Sequence, residues 1–212
     1  MTVRPGQRTR IQQKNRELIL EAGLEVFSQA GFRGATLDQI ARAAGLSKPN
    51  LLYYFGSKEA IYEALLGGLL ETWLDPLVAL DPEGEPVDEI LGYVRRKLAL
   101  SRDFPRQSRL FANEILAGAP MIGPLLGTEL RALVEEKAAV IRRWMDAGRI
   151  APVDPAHLII SIWALTQHYA DFEVQVRAVL GESEVFDRAE SHLEQLFSRL
   201  VRPTRMGDCT PP

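Results

Sequence analysis

The chain has 212 residues, 46% hydrophobic and 25% charged, which is enough apolar side chain for a buried core and an ordinary charge density for a globular protein. A net charge of −3 argues against a broadly basic nucleic-acid coat, and no run of about 18 apolar residues is present to span a membrane. The single cysteine, Cys209, rules out an internal disulfide, and His157, His168 and His192 lack metal-ligand spacing, so neither a metal site nor a cofactor is expected.

The average charge hides a split. Residues 1–60 carry nine Lys or Arg against five Asp or Glu, a net of +4, and the rest of the chain carries 16 against 23, a net of −7. A basic head on an acidic body suits a DNA-binding module joined to a domain that does not touch DNA. The opening MTVRPGQRTRIQQKNR is polar and basic with no apolar stretch behind it, which predicts a cytoplasmic protein without a signal peptide. Residues 1–10 are expected to form a disordered arm in which Arg4, Arg8 and Arg10 reach DNA phosphate or simply aid solubility.

From Ile11 to Ala30 the apolar residues Leu18, Ile19, Ala22, Val26 and Phe27 recur at helical spacing, and Gly31 stops the helix. Thr36 followed by Gln39 is a capping-box start, and Leu37, Ile40, Ala41 and Ala44 share one face of the helix it opens. Gly45 supplies the reversal, Ser47 caps a second helix, and Pro49 fits its first turn, where a missing N–H costs nothing. Two helices joined by a tight glycine turn form a helix-turn-helix, whose second helix enters a major groove; an αα-corner fits the same pattern.

The residue types on the second helix favour DNA. Lys48 suits a phosphate or guanine edge, Asn50 an adenine edge, and Tyr53 and Tyr54 carry hydroxyls toward the backbone, with at least one ring expected to pack inward. The candidate DNA-contacting set is Thr36, Ser47, Lys48, Pro49, Asn50, Tyr53, Tyr54 and Lys58.

Ser57 caps a fourth helix whose stripe, Ile61, Leu65, Leu69, Leu70, Trp73 and Leu74, runs to Pro76 and makes it a candidate lever. DPEGEP reads as a loop, Val87–Arg102 and Arg106–Leu116 as helices, AGAPMIGP as a link, and Leu125 to Ala147 as one long helix. A helix from His157 to Leu180 is apolar almost all round in its first half, and another from Ser183 to Val201 carries Phe186, Ala189, Leu193, Leu196, Phe197 and Leu200 on one stripe. This surplus of apolar surface predicts a homodimer through the two C-terminal helices. The expected architecture is all-α: an arm at 1–10, a helix-turn-helix domain at 11–56, a ligand-binding and dimerisation domain at 57–202 and a disordered tail at 203–212.

Trp163 and Gln167 lie one turn apart on the helix after Pro155, with Asp171 a turn further on. A flat indole and an amide with both donor and acceptor suit a planar ring bearing neighbouring N–H and C=O groups; a packed core residue and a buried polar contact suit the same spacing. Enzyme chemistry lacks a motif, since there is no phosphate-binding glycine loop, no HExxH and no Ser, His and acid set in context.

The run GFRGATLDQIARAAGLSKPNLLYYFGSKE, Gly31 to Glu59, resembles the DNA-binding domain of TetR-type repressors, with Gly31-Phe32, Thr36, Ile40-Ala41, Ala44-Gly45, Ser47, Tyr54-Phe55 and Ser57-Lys58-Glu59 in register. Leu52 departs from the aromatic that many members carry. LLYYF, SRLFANEILAGAP and the segment ending HLIISIWALTQHYADF resemble the narrower RutR-type regulators of pyrimidine degradation. That resemblance, covering about Lys14 to Phe197, implies a homodimeric repressor or dual regulator of pyrimidine and nitrogen metabolism genes. It would sit on a palindromic double-stranded operator, nucleoid-associated when bound, and be released by a pyrimidine base, chiefly uracil. Trp73, Trp163 and Gln167 are the matching ligand candidates, with Glu114 as a further candidate that serves equally as a partner of Arg102 or Arg109. A repressor of the same type sensing another small aromatic or apolar ligand is the alternative.

Overall fold

The computed structural model describes residues 5–181 and 185–203. Among them the regular elements are all helical: α1 (Pro5–Gly34), α2 (Leu37–Ala43), α3 (Lys48–Phe55), α4 (Lys58–Val78), α5 (Pro86–Asp103), α6 (Pro105–Leu116), the short α7 (Gly123–Leu125), a π turn (Leu126–Leu130), α8 (Arg131–Asp146), α9 (Pro155–Asp171), α10 (Glu173–Leu180) and α11 (Val185–Val201). No helix of the described residues is long and apolar enough to cross a membrane.

Two compact units emerge. The first takes in the residues up to Glu71 together with Arg106–Gly123, and the second Thr72–Pro105 with the residues from Pro124 on. In this division α6 falls in the first unit, and α4 belongs to the first unit in its early turns and to the second in its last.

In the first unit α1 starts at Pro5, not near Ile11, so residues 5–10 are helical and not part of an extended arm. Proline suits the first helical position, and of the residues from Gly6 to Ile11 only Gly6 is a poor helix former. Gly31, at φ 66°, interrupts the helix where expected. Ile19, Phe27, Ile40, Leu51, Phe55, Ile61 and Leu66 are buried and build the core of this unit. The Phe27 and Tyr62 rings meet edge-to-face at 4.9 Å.

In the second unit one cluster joins Leu77, Leu80, Ile90, Tyr93, Val94, Leu98, Val140, Ile141, Trp144, Leu158, Ile159, Ile162, Leu193 and Phe197. The i, i+3, i+4 recurrence of Ile90, Tyr93, Val94 and Leu98 turns one face of α5 onto α9 and α11. Trp144 Nε1 donates to Pro82 O at 3.0 Å, tying the 81–85 loop to α8. The long helix expected from Leu125 is instead a short turn, a π turn and α8, and the helix expected to reach Leu180 breaks at Phe172 (φ −114°, ψ 31°) into α9 and α10. Arg4 and the tail containing Cys209 lie outside the described residues.

Phe197 is 1% exposed and its neighbour Leu196 is 40% exposed. Phe197→Ala is expected to cost about 3–5 kcal/mol of stability by leaving a core cavity. Leu196→Ala is expected to stay within about 0.5 kcal/mol for the protomer, and urea unfolding monitored by circular dichroism at low protein concentration checks both.

A candidate DNA-reading helix and a buried donor corner

The sequence dictates the head's geometry locally. Gln39 N donates to Thr36 Oγ1 at 3.3 Å and Thr36 N donates to Gln39 Oε1 at 2.8 Å, closing the capping box. At the other end of α2, Leu46 N reaches Ala41 O at 2.9 Å and Gly45 N reaches Arg42 O at 3.1 Å. This double closure needs a positive φ, and Gly45 supplies 67°. Ser47 then caps α3, accepting from Asn50 N at 3.4 Å.

On α3 the buried anchors Leu51 and Phe55 lie one turn apart, while Ser47, Lys48, Pro49, Asn50 and Tyr53 are exposed, Tyr53 at 72%. These five present an unobstructed face led by a helix N-terminus, where backbone N–H groups favour phosphate. Lys48 pairs with Asp38 at 2.9 Å, an exposed ion pair worth about 0–1 kcal/mol that a phosphate can displace. Tyr54 is the inward ring: its hydroxyl accepts from Asn15 Nδ2 at 2.8 Å.

Lys58, the last of the expected DNA-contacting set, is engaged within the head. Its ammonium donates to Phe32 O at 2.8 Å and Ala35 O at 2.9 Å and sits 4.4 Å from the Phe32 ring centroid, so it braces the α1–α2 connection. Arg16, absent from the sequence-derived set, is a second brace. It lies 4.2 Å over the Phe55 ring and donates to Tyr54 O at 3.1 Å, fixing α3 to α1.

Three ligand candidates fall in the second unit. Trp163 Nε1 donates to the Tyr93 hydroxyl at 2.5 Å, and Gln167 is half-buried one turn further along α9. Burial pushes the Tyr93 phenol above its ordinary range, so it stays neutral. Trp73 is 4% exposed, and its indole N–H, Nε1, is a buried side-chain donor without a partner. Such a group costs about 1–3 kcal/mol while unanswered.

Lys97 completes the corner. It is 2% exposed, donates to Trp73 O at a long 3.4 Å, and holds its ammonium 5.6 Å from the Trp73 ring centroid. Burial lowers it to about 7, partly offset by the negative charge of Asp171. The sequence held a signal for it: Lys97 and the buried Ser101 continue the stripe of Ile90, Tyr93 and Val94, where a solvated lysine has no place.

Glu114, the remaining ligand candidate, lies on α6. It belongs to the first unit, 3% exposed, accepting from Met121 N at 2.7 Å and hydrogen-bonded to Tyr62, whose phenol is raised to about 12 by burial and by the Glu114 carboxylate. A cavity of about 710 Å³ there is lined by Phe27, Phe32, Tyr62, Leu110, Glu114 and Met121. Among the described residues no group of three His, Cys, Asp or Glu is placed to hold a metal ion.

Residues 19–65 match the family described as bacterial regulatory proteins, tetR family, and residues 66–204 match the YcdC-like protein, C-terminal region. The chain is 47% identical over 202 residues to the HTH-type transcriptional regulator RutR of Escherichia coli K12, covering 93% of this chain and 95% of that one. It is 28% identical over 153 residues to the HTH-type transcriptional repressor NicS of Pseudomonas putida, covering 70% and 69%. Among solved structures, a TetR-like transcriptional regulator from Rhodococcus sp. RHA1 aligns at 25% identity and TM-score 0.66, covering 87% of this chain and 94% of that one. A tetR family regulatory protein from Rhodococcus RHA1 shares the fold at 20% identity and TM-score 0.73, covering 90% and 98%. The chain therefore belongs to the tetR family of bacterial regulatory proteins and works as a DNA-binding transcriptional regulator, not as an enzyme.

Proposed function

We propose that this regulator is a homodimer that holds a palindromic operator while its second unit is empty and releases it when a pyrimidine base, uracil, is bound. The observation that carries the reading is the pair Trp73 and Lys97, an indole whose N–H has no acceptor beside a buried lysine. It is supported by Trp163 and Gln167 one turn apart on α9 in the same unit, which add a second indole and an amide of both senses. Uracil is planar and alternates C=O with N–H around its ring, so it matches that set without charge. The 47% identity to RutR supports the same choice.

Uracil reaches DNA only through linkage. If it fits the conformation in which the two α3 helices miss successive major grooves, roughly 34–36 Å apart, binding falls by an amount set by the coupling. A coupling of about 1–3 kcal/mol changes operator affinity by about 5- to 150-fold. α4 is continuous from Lys58 in the first unit to Val78 in the second and carries Trp73, which makes it the route assigned to this signal. For the dimer, α9 leaves Ile160 and Leu165 exposed at 48% and 38%, and α11 leaves Leu196 and Leu200 at 40% and 46%. These are the side chains a twofold helical interface would cover.

Three measurements test the reading. Asn50→Ala is expected to weaken specific operator binding by about 1–3 kcal/mol while leaving nonspecific DNA binding nearly unchanged, read by gel shift against two duplexes. Trp73→Ala is expected to retain operator binding and lose release by uracil; an unchanged uracil response counts against it. Leu196→Glu with Leu200→Glu is expected to give a folded monomer in sedimentation velocity, with operator binding lost; a dimer that survives both charges removes the interface from α11.

A further inference from the structure

Two lysines are buried in the second unit, and they are answered differently. Lys137 donates to Val78 O at 3.0 Å and Leu80 O at 3.5 Å and pairs with Glu136 at 3.2 Å, which closes the C-terminal carbonyls of α4. Lys97 has a long bond to Trp73 O and the face of the same indole, and beside it the Trp73 N–H points to no acceptor. With Lys97 protonated, that corner therefore holds donors in excess of its acceptors. A ligand that supplied only an amino group there would add a third donor. A ligand that supplied a carbonyl oxygen would answer both, since such an oxygen has two lone pairs.

We propose that Lys97 grips the effector's carbonyl oxygen as an ammonium, so that binding of the base draws a proton from solvent onto Lys97. The inference rests on the pyrimidine reading and adds to it a chemical class, a ring bearing an exocyclic oxygen, and a regulatory input, pH. The step balances simply: the neutral amine takes one proton from the buffer, the base keeps all of its bonds, and the ammonium donates to its oxygen.

The groups around Lys97 support this assignment. In the empty site burial holds Lys97 at about 7, so near neutrality a large share of it is uncharged and able to take the proton. Asp171, from α9, is the negative charge that acts on it. On its own helix Tyr93 is held neutral by burial, and on α4 Asp75 is exposed. His168, also on α9, is exposed and stacks on Phe172 at 4.7 Å.

The sign follows from linkage. The bound base raises the proton affinity of Lys97, so proton uptake is confined to pH values above about 7. Effector affinity is flat below that point and falls above it by up to about tenfold per pH unit. In the cell an alkaline shift would then need more base for the same release of operator.

Calorimetric titration of the wild-type protein with uracil, in pairs of buffers with different ionisation enthalpies, tests this directly. The expected uptake is near zero at pH 5.5, about half a proton at pH 7 and close to one at pH 8.5. Cytosine, which puts an amino group in place of one oxygen, is expected to bind more weakly than uracil at every pH. Lys97→Met is expected to bind uracil weakly with no uptake and to raise the melting temperature of the empty protein, and His168→Gln to keep the uptake intact. Uracil that binds the wild type without taking up a proton, or uptake that disappears in His168→Gln, overturns this inference alone. Uracil that gives neither heat nor thermal stabilisation overturns the pyrimidine reading and this inference with it.

Discussion

A buried cation has to be answered, and the second unit leaves one answered only at long range. Lys97 sits on the same stripe of α5 that assembles the core of that unit, so it cannot turn to solvent without dragging Tyr93, Val94 and Leu98 out of contact with their neighbours. The unmatched Trp73 N–H beside it doubles the shortage of acceptors. An incoming hydrogen-bond acceptor would relieve that shortage, which is the part given to the effector in the function proposed above.

The head works on the opposite principle, with its polar groups satisfied locally. Thr36 and Gln39 close α2, the turn at Gly45 satisfies its last carbonyls, and Ser47 opens α3. Arg16 and Lys58 each combine an aromatic face with backbone carbonyls, bracing α3 and the α1–α2 connection. With these cations turned to the scaffold, the exposed side of α3 is left to Ser47, Lys48, Asn50 and Tyr53, the side chains proposed to meet DNA. A rigid reader suits a regulator whose signal is a change in position.

What was legible in the sequence follows this division. Capping residues, a glycine turn and an early proline act within a few residues of chain, so the helix-turn-helix was readable from Thr36 to Phe55. At least one of the Tyr53 and Tyr54 rings was expected to pack inward, without a local signal to say which, and it is Tyr54 that bonds Asn15. Features decided by distant contacts were not legible. Phe172 breaks α9 from α10 with neither glycine nor proline at the joint. Glu114 stands on α6 in the first unit, where its partners Tyr62 and Met121 come from elements that no local pattern in the sequence links to it. Lys58 matched a motif by type while its ammonium serves two carbonyls. Lys97 is absent from the sequence-derived candidates, though its position in the stripe of Ile90, Tyr93, Val94 and Leu98 marks it as buried.

The most direct test of the account is the indole N–H signal of Trp73 in a nitrogen–proton correlation spectrum, assigned with Trp73→Phe and followed as uracil is added. The account predicts that this signal moves downfield as Nε1–H gains a carbonyl acceptor, while that of Trp144, already bonded to Pro82 O, stays in place. Saturating uracil that stabilises the protein yet leaves the Trp73 signal where it was would contradict it.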